Sequence, residues 1–197
     1  MRRIVGDVFR RVGMPKLTFV TGNSNKALEV GMILGIDDLA NCAIDAPEIQ
    51  SFSLEEIVRA KAEFAQKVCG SPVVVEDVAL HFDALGGFPG PFVKFWQNEV
   101  GYDRANEILE RLGNDVALVR CGVGYSDGER FFYVEGQRSG RLVCPRGESM
   151  MGFDRYFLPD GQEKTYGEMS KDEKNAISHR KLGWEAMQVR LKGEGVL

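Results

Sequence analysis

The amino-acid sequence predicts a mixed α/β fold, in which a long central mixed β-sheet is flanked by helices. Helical and strand patterns alternate through the first hundred residues, as they do where parallel strands are joined by helices. Farther along, strand patterns over residues 116–125 and 130–134 are joined through Ser126-Asp127-Gly128, a turn signal that indicates an antiparallel hairpin. Because both arrangements occur in one chain, the sheet should contain parallel and antiparallel strands.

The first elements follow from apolar periodicity and from capping signals. Residues 17–20 form an apolar run that predicts a buried strand, and residues 26–35 predict a helix that ends near Gly35. Ser53 and Glu56 have the spacing of a capping box, which marks the start of the next helix. That helix should bury one apolar face, made of Leu54, Ile57, Val58, Ala62, Ala65 and Val68.

The later elements include a central strand and a C-terminal helix. The β-branched run at residues 73–75 predicts a short central strand that ends at Glu76-Asp77, and residues 103–112 predict a helix. Ser170 and Glu173 form a second capping-box pattern at the start of a single final helix. The apolar side of this helix includes Ile177, Trp184, Met187 and Leu191.

Length, composition and charge limit the function classes. The 197 residues suffice for one domain with a hydrophobic core, assigned to residues 17–197 after a basic N-terminal extension at residues 1–16. The net charge of −4 argues against a nucleic-acid polymer as partner, and no apolar run is long enough to span a membrane. Four cysteines without a Cys-x-x-Cys pair predict free thiols, three of them buried, in a reducing compartment such as the cytosol.

The turn after the first strand is a candidate phosphate site. Thr21-Gly22-Asn23 follows an apolar strand, and a helix with Lys26 in its first turn comes next. The backbone N–H groups at a helix N-terminus have no partner within the helix, so they favour an anion there, and Lys26 adds a positive charge. The spacing is not that of a Walker A loop. An ordinary strand–turn–helix corner with a surface lysine would have the same pattern.

Acidic residues provide a candidate metal site. Glu76 and Asp77 follow the central apolar run, and adjacent residues of a strand point to opposite faces, so one of them should face a given cleft. Glu48 is a possible second ligand from a loop. A magnesium ion takes one or two carboxylates and completes its coordination with water and substrate phosphates. Solvated carboxylates would give the same pattern, particularly at Glu48.

Two further segments are rich in constrained backbone or in hydrogen-bond donors. Residues 85–94 contain three glycines and two prolines, which favour a defined loop ahead of Lys94. The segment at residues 173–180 concentrates the donors Lys174, Ser178, His179 and Arg180 on the last helix. A structural turn and a structural histidine are the alternative interpretations of these segments.

Taken together, these motifs indicate a family. The chain resembles the inosine triphosphate pyrophosphatase family from about Leu17 to about Trp184. The resemblance rests on Thr21-Gly22-Asn23 with Lys26, on Glu76-Asp77, and on residues 84–94, 145–147, 159–161, 165–169 and 173–180. It implies two lobes around a deep cleft, usually in a homodimer. It also implies Mg²⁺-dependent hydrolysis of non-standard purine nucleoside triphosphates (ITP, dITP and XTP) to the monophosphate and pyrophosphate, which cleanses the nucleotide pool.

The resemblance implies a role for each matching residue. Asp77 would be the catalytic base and, with Glu48, a metal ligand. The phosphates would be bound by Thr21, Gly22, Asn23, Ser24, Asn25, Lys26 and Lys61, with Val78 nearby. The nucleoside would be surrounded by Lys94, Met151, Gly152, Phe153, Asp154, Lys174, His179 and Arg180. Because Lys174 and Arg180 only donate hydrogen bonds, they would favour a 6-keto purine over adenine, whose 6-amino group is also a donor.

Three residues depart from the family pattern. Met151 replaces an aromatic residue expected to stack on the base, Arg155 replaces a proline and adds a charge near the cleft, and Val78 replaces a Thr or Ser. A sulfur–aromatic contact is softer than ring stacking, so base preference is the property most affected. Two alternatives therefore remain: a pyrophosphatase for another altered nucleotide, and a nucleotide-binding sensor without catalytic activity.

Overall fold

The structure is a computed structural model that describes residues 17–34, 40–44, 46–149 and 151–197. The predicted N-terminal extension and the predicted helix end at Gly35 lie outside these residues. The strands are β1 Thr18–Val20, β2 Asn41–Cys42, β3 Val73–Phe82, β4 Pro89–Gly90, β5 Val116–Ser126, β6 Phe131–Leu142 and β7 Phe157–Pro159. The helices are α1 Ser24–Leu34, α2 Leu54–Cys69, α3 Val93–Glu99, α4 Tyr102–Leu112, α5 Lys171–Ile177 and α6 His179–Gly193.

These strands form one mixed sheet, which confirms the predicted fold class. Its order is β2-β1-β3-β5-β6-β7, and β4 also pairs with β3. The pairs β1–β2 and β1–β3 are parallel, whereas β3–β4, β3–β5, β5–β6 and β6–β7 are antiparallel. The predicted hairpin of β5 and β6 is present, and its second strand extends beyond the predicted end at residue 134, to Leu142.

Strand β3 is longer than the sequence predicts. The predicted end at Glu76-Asp77 is wrong, because β3 pairs with β5 along its whole length, from Val73 opposite Ser126 to Phe82 opposite Ala117. On its other edge, β1 pairs with residues 73–74 and β4 pairs with residues 80–81. Among the described strands, none pairs with residues 75–79 on that edge. The two carboxylates therefore lie at an opening in the middle of the sheet.

Helices pack on both faces of β3. Val73, Val75 and Ala79 face α2 and pack against its buried residues Leu54, Val58, Ala62 and Ala65. Val74 faces the other side, where α1 contributes Val30 and α6 contributes Trp184, Met187 and Leu191. A third apolar cluster lies at the far end of β3, around Leu80 and Phe82, and includes Phe153 and residues of α4. Glu76 thus faces α1 and α6, and Asp77 faces α2.

Both predicted capping residues start a helix, but the first capping box has only one of its two hydrogen bonds. The Ser53 hydroxyl accepts from the Glu56 amide at 3.3 Å, but the Glu56 carboxylate is bonded by the Ser51 hydroxyl at 2.6 Å instead of by the Ser53 amide. Helix α2 buries the predicted face except for Val68, which is 57% exposed near the helix end. The Ser170–Glu173 box has both of its hydrogen bonds.

The single final helix predicted from the sequence is wrong. Ser178 has extended backbone (φ −69°, ψ 152°), so α5 ends at Ile177 and α6 begins at His179. The Ser178 hydroxyl accepts from the Lys181 amide at 3.1 Å and caps the second helix. A serine within a helical pattern is compatible with a continuous helix, but its side chain can also stabilise a helix start, as it does here.

The four cysteines are free thiols, but only Cys121 is buried; Cys42 and Cys69 are half-buried and Cys144 is exposed. The expectation of three buried thiols is therefore wrong, because apolar neighbours in sequence do not ensure burial in the fold. Across the described residues, each helix is too short or too polar to cross a bilayer.

Candidate active site

A cleft of about 840 Å³ opens beside residues 75–79 of β3. It is lined by predicted site residues from both ends of the sheet: Thr21, Gly22, Asn23, Lys26, Glu48, Lys61, Asp77, Val78, Lys94, Met151, Gly152, Phe153, Asp154, Lys174, His179 and Arg180. Ser24 and Asn25 begin helix α1 next to Asn23. The volume lies within the range of small-molecule sites, and the lining is unusually rich in charged side chains for such a site.

The strand–turn–helix corner forms one wall of the cleft. The Asn23 amide donates to the Thr21 hydroxyl at 3.1 Å, and the Asn23 side-chain oxygen accepts from the Lys26 amide at 3.4 Å. The side chains of the motif thus satisfy N–H groups that would otherwise have no partner at the start of α1. The Lys26 ammonium lies 3.3 Å from Glu76 Oε1 and is still 23% exposed on its side chain.

A second lysine joins the two candidate metal ligands. Lys61 of α2 donates from Nζ to Asp77 Oδ2 at 2.6 Å and to Glu48 Oε1 at 3.4 Å. Burial alone would lower the pKa of Lys61, but the attraction of Asp77 and Glu48 raises it above its ordinary value of 10.5. The Val78 amide donates to the other oxygen, Asp77 Oδ1, at 2.8 Å. The two carboxylates therefore converge on the position of a single cation.

This donor set fits magnesium. Within the described ranges, no group of three or more His, Cys, Asp or Glu side chains is arranged to hold a metal ion. Magnesium does not need such a group, since one or two carboxylates with substrate phosphates and water complete its coordination. Glu48 and Asp77, which already share the Lys61 ammonium as a partner, would supply those carboxylates.

The other end of the cleft is a buried network of ion pairs. Lys174 donates to Asp154 Oδ2 at 2.7 Å and to Glu29 Oε1 at 3.2 Å. Arg180 pairs with Glu29 through Nη1 and with Glu76 through Nε and Nη2, the latter at 3.0 Å. All five side chains are at most 12% exposed. Such a network stays in place because each buried charge has a partner.

His179 provides a neutral group beside these charges. The residue is 2% exposed, and its Nδ1 has no hydrogen-bond partner among the described residues. Burial, together with the positive charges of Arg180 and Lys174, holds the pKa of His179 well below its ordinary value of 6.5. A neutral imidazole lining the cleft can accept or donate one hydrogen bond to a ligand.

The loop before Lys94 depends on its glycines. Gly86, Gly87 and Gly90 have φ values of 62°, 90° and 58°, a region that favours glycine. Lys94 follows at the first turn of α3, where it is exposed and lines the cleft. The predicted constrained loop is therefore present, and it places a cation at the rim.

Sequence comparison identifies the family to which this site belongs. The sequence pattern of the Ham1 family matches residues 17–189, which include all of the cleft residues named above. The chain belongs to the Ham1 family.

Individual Ham1-family relatives are similar over most of their length. The inosine triphosphate pyrophosphatase of Emericella nidulans is 41% identical over 170 residues, which cover 85% of this chain and 91% of the relative. The protein of the same name from Puccinia graminis f. sp. tritici is 37% identical, over 86% of this chain and 93% of the relative.

Solved structures with the same fold include members of the Ham1 family. The HAM1 protein from Coxiella burnetii has a TM-score of 0.76 at 25% identity and covers 90% of this chain and 98% of its own. A nucleoside-triphosphatase, dITP/XTP pyrophosphatase, from Mycobacterium abscessus has a TM-score of 0.64 at 27% identity, over 89% of this chain and 98% of its own.

The residues at which this Ham1-family chain departs from the pattern have different environments. Met151 lines the cleft, and Phe153 packs against Tyr102 and His179 with ring centroids 6.4 and 5.8 Å apart. Arg155 is not among the described residues that line the cleft, so its charge lies outside the wall of the site. Base preference should therefore depend on Met151 more than on Arg155.

Sequence reasoning missed Glu29 and Trp184 as parts of the site. Glu29 neutralises Lys174 and Arg180, and the Trp184 indole N–H donates to Glu76 Oε2 at 2.8 Å. Glu29 is three residues after Lys26, so the helical period already placed both on one face of α1. The apolar period of the last helix predicts Trp184 as a core residue, and its indole N–H is the sequence signal that points to a polar partner.

The neutral state of His179 should make stability depend on pH. Below pH 6.5 the unfolded chain binds a proton at His179 that the folded protein excludes, so stability decreases as pH falls. We expect the free energy of unfolding to decrease by up to about 1.4 kcal/mol for each pH unit below that value. In urea titrations from pH 7.5 to 5.5, His179→Gln should have a flatter dependence than the parent protein. His81→Gln is the comparison variant: burial lowers the pKa of His81 as well, but less than that of His179, so it should flatten the dependence less. An unchanged slope for His179→Gln would contradict the assignment.

Proposed function

We propose that this Ham1-family protein hydrolyses non-standard purine nucleoside triphosphates, such as ITP, dITP and XTP, to the nucleoside monophosphate and pyrophosphate. The observation that carries this proposal is a single cleft with two chemically different ends. One end combines lysines with two converging carboxylates, and the other is a buried set of donors around a neutral histidine. Relatives that carry the name inosine triphosphate pyrophosphatase support it.

The triphosphate would bind between the corner of β1 and α1 and helix α2. Thr21, Gly22, Asn23, Ser24 and Asn25 form the turn and the first helical turn, where the positive end of the helix dipole favours an anion. Lys26 and Lys61 approach from two different helices. Phosphoryl transfer depends mainly on positioning and charge neutralisation, which these groups supply.

Asp77 would act on the water molecule that attacks the α-phosphorus. Lys61 and the Val78 amide hold its two oxygens in place, so the carboxylate has a defined orientation. The new P–O bond forms at the α-phosphorus while the bond to the β-phosphate oxygen breaks, and pyrophosphate leaves. Asp77 would orient the water, accept its proton, or do both. Bound Mg²⁺ would neutralise charge on the phosphates, with Glu48 and Asp77 as its protein ligands.

The base would lie at the buried end of the cleft, between Met151 and the start of α6. Lys174 has three N–H groups, and its two carboxylate partners account for two of them. A further N–H is thus available to the 6-keto oxygen of inosine or xanthosine. The 6-amino group of adenine would instead meet a donor, which leaves a buried polar group unpaired and weakens binding.

A homodimer in the cytosol is also part of this proposal. The dimer rests on the family resemblance, and the cytosol rests on four free thiols, which persist in a reducing compartment. Sedimentation of the purified protein tests the dimer directly; a single monomeric species at micromolar concentration would contradict it.

A panel of triphosphates assayed for pyrophosphate release tests the activity. We expect kcat/KM for ITP and XTP to exceed that for ATP by about a hundred-fold, since a mismatched buried hydrogen-bonding group is costly. Removal of Mg²⁺ with a chelator should abolish turnover. Equal turnover of ATP and ITP would favour a broader pyrophosphatase.

The panel also distinguishes the two alternatives. A preference for another altered nucleotide would follow from the softer contact of Met151 with the base, and Met151→Phe should then shift preference toward ITP. If the parent protein hydrolyses none of the triphosphates, it is a nucleotide-binding sensor.

A further inference from the structure

Glu76 is a buried carboxylate that contacts the two ends of the cleft at once. Its side chain is 1% exposed, so it is almost inaccessible to a ligand. Oε1 lies 3.3 Å from the Lys26 ammonium and 3.0 Å from Nη2 of Arg180. The Arg180 Nε donates to both carboxylate oxygens, at 3.0 and 3.1 Å. One side chain therefore joins the cation of the phosphate corner to the cation of the base end.

The fold explains why this position reaches both ends. Glu76 points to the face of β3 on which α1 and α6 pack, and these helices carry Lys26 and Arg180 respectively. Asp77, the next residue, points to α2 and Lys61. Because successive side chains of a strand point to opposite faces, the two carboxylates have different partners. Glu76 lies where α1 and α6 meet on β3.

Two neutral donors keep the Glu76 carboxylate in one orientation. The Trp184 indole N–H donates to Oε2 at 2.8 Å, and the buried Cys121 thiol lies 3.8 Å from the same oxygen. Trp184 is itself fixed in the core, with its ring against Phe19 at 4.9 Å between centroids. A carboxylate held in this way can fix the positions of its cationic partners.

We propose that Glu76 is a positioning residue that holds Lys26 and Arg180 in one arrangement, so that recognition of the triphosphate and recognition of the base both depend on it. This inference rests on the proposed function of the cleft. Without the charge of Glu76, the partly exposed Lys26 and the buried Arg180 would lose a shared partner and would repel each other. Both cations would then adopt other positions, although the Glu76 side chain, which is 1% exposed, is itself almost inaccessible to the substrate.

The test uses Glu76→Gln, which keeps the size of the side chain and removes its charge. Binding of tripolyphosphate and of inosine, measured separately by calorimetry, reports the two ends of the cleft without turnover. We expect both affinities to fall about ten-fold, since hydrogen bonds to charged groups are involved at each end. The ratio of kcat/KM for ITP to that for ATP should fall as well, which a general loss of stability would not cause.

The matched control is Glu135→Gln. Glu135 pairs with Arg120 and accepts from the Tyr133 hydroxyl on β6, outside the residues that line the cleft. This change should leave both affinities and the selectivity ratio as in the parent. If Glu76→Gln leaves either the tripolyphosphate or the inosine affinity unchanged, Glu76 does not position both cations and the inference is overturned.

A second variant tests the inference if Glu76→Gln folds poorly. Trp184→Phe removes the indole N–H from Glu76 Oε2 and keeps an aromatic ring in the core. We expect it to weaken both binding reactions about two- to five-fold, and unchanged affinities would overturn the inference. These binding measurements remain informative if the parent protein hydrolyses no triphosphate, an outcome that contradicts only the proposed activity.

Discussion

Asp77→Asn is expected to lower kcat/KM for ITP by about a thousand-fold. Asparagine keeps the volume of the side chain and an oxygen for the Val78 amide, but it loses the negative charge that pairs with Lys61 at 2.6 Å. The variant would lack a group able to accept a proton and one of two carboxylate ligands for Mg²⁺. General base catalysis alone contributes about 10²- to 10⁴-fold.

Pyrophosphate release measured at saturating Mg²⁺ tests this prediction. Asp160→Asn, the same chemical change at an exposed turn outside the cleft, is the control and should retain the parent rate. A thermal melt should show both variants folded. An Asp77→Asn rate within ten-fold of the parent rate would exclude Asp77 as base and as essential ligand.

Gly136→Ala is expected to have the largest effect on stability. Gly136 lies on β6 opposite Cys121, directly beneath the first turns of α6. An added Cβ would lie 2.1 Å from the Gly183 amide nitrogen and 2.2 Å from the His179 carbonyl oxygen. Both are backbone atoms and cannot rotate away, so α6 must shift. Overpacking of this kind costs about 3 kcal/mol, or more where backbone must move.

Urea denaturation measures this cost, and Gly193→Ala is the matched control. Gly193 ends the same helix, and a Cβ there would meet nothing within 4 Å. Alanine should be neutral or slightly stabilising at Gly193 because it has the higher helix propensity. The shift of α6 in Gly136→Ala should also displace His179 and Arg180 and reduce selectivity for ITP over ATP. A change in unfolding free energy below about 0.5 kcal/mol at Gly136 would show that the helix is not in close contact.

Local signals predicted most of the elements, and non-local contacts account for the errors. The Ser53 cap and the apolar period of α2 were sufficient because both operate within a few residues. The sequence predicts too short a strand β3, because two adjacent carboxylates resemble a strand end. Glu76 and Asp77 can lie in mid-strand because Arg180 pairs with Glu76 and Lys61 pairs with Asp77. Both cations come from other segments of the chain.

In the site as well, local motifs predict the residues, whereas their ion pairs depend on the fold. The motifs identified the lysines, Asp77 and the donors of α6 as members of one family pattern. That the Lys26 ammonium pairs with Glu76, and that Glu29 joins Lys174 to Arg180, depends on how α1 and α6 pack on β3. Such pairs carry no spacing signal, because their members lie on separate elements.

The mixed sheet, the family and most of the charged residues that line the cleft can be predicted from the amino-acid sequence, because periodicity, capping and motif spacing are properties of neighbouring residues. The length of β3, the break at Ser178 and the separate partners of Glu76 and Asp77 became visible in the three-dimensional fold. A buried charge is stable only beside its partner, and chain folding is what brings partners from distant segments together.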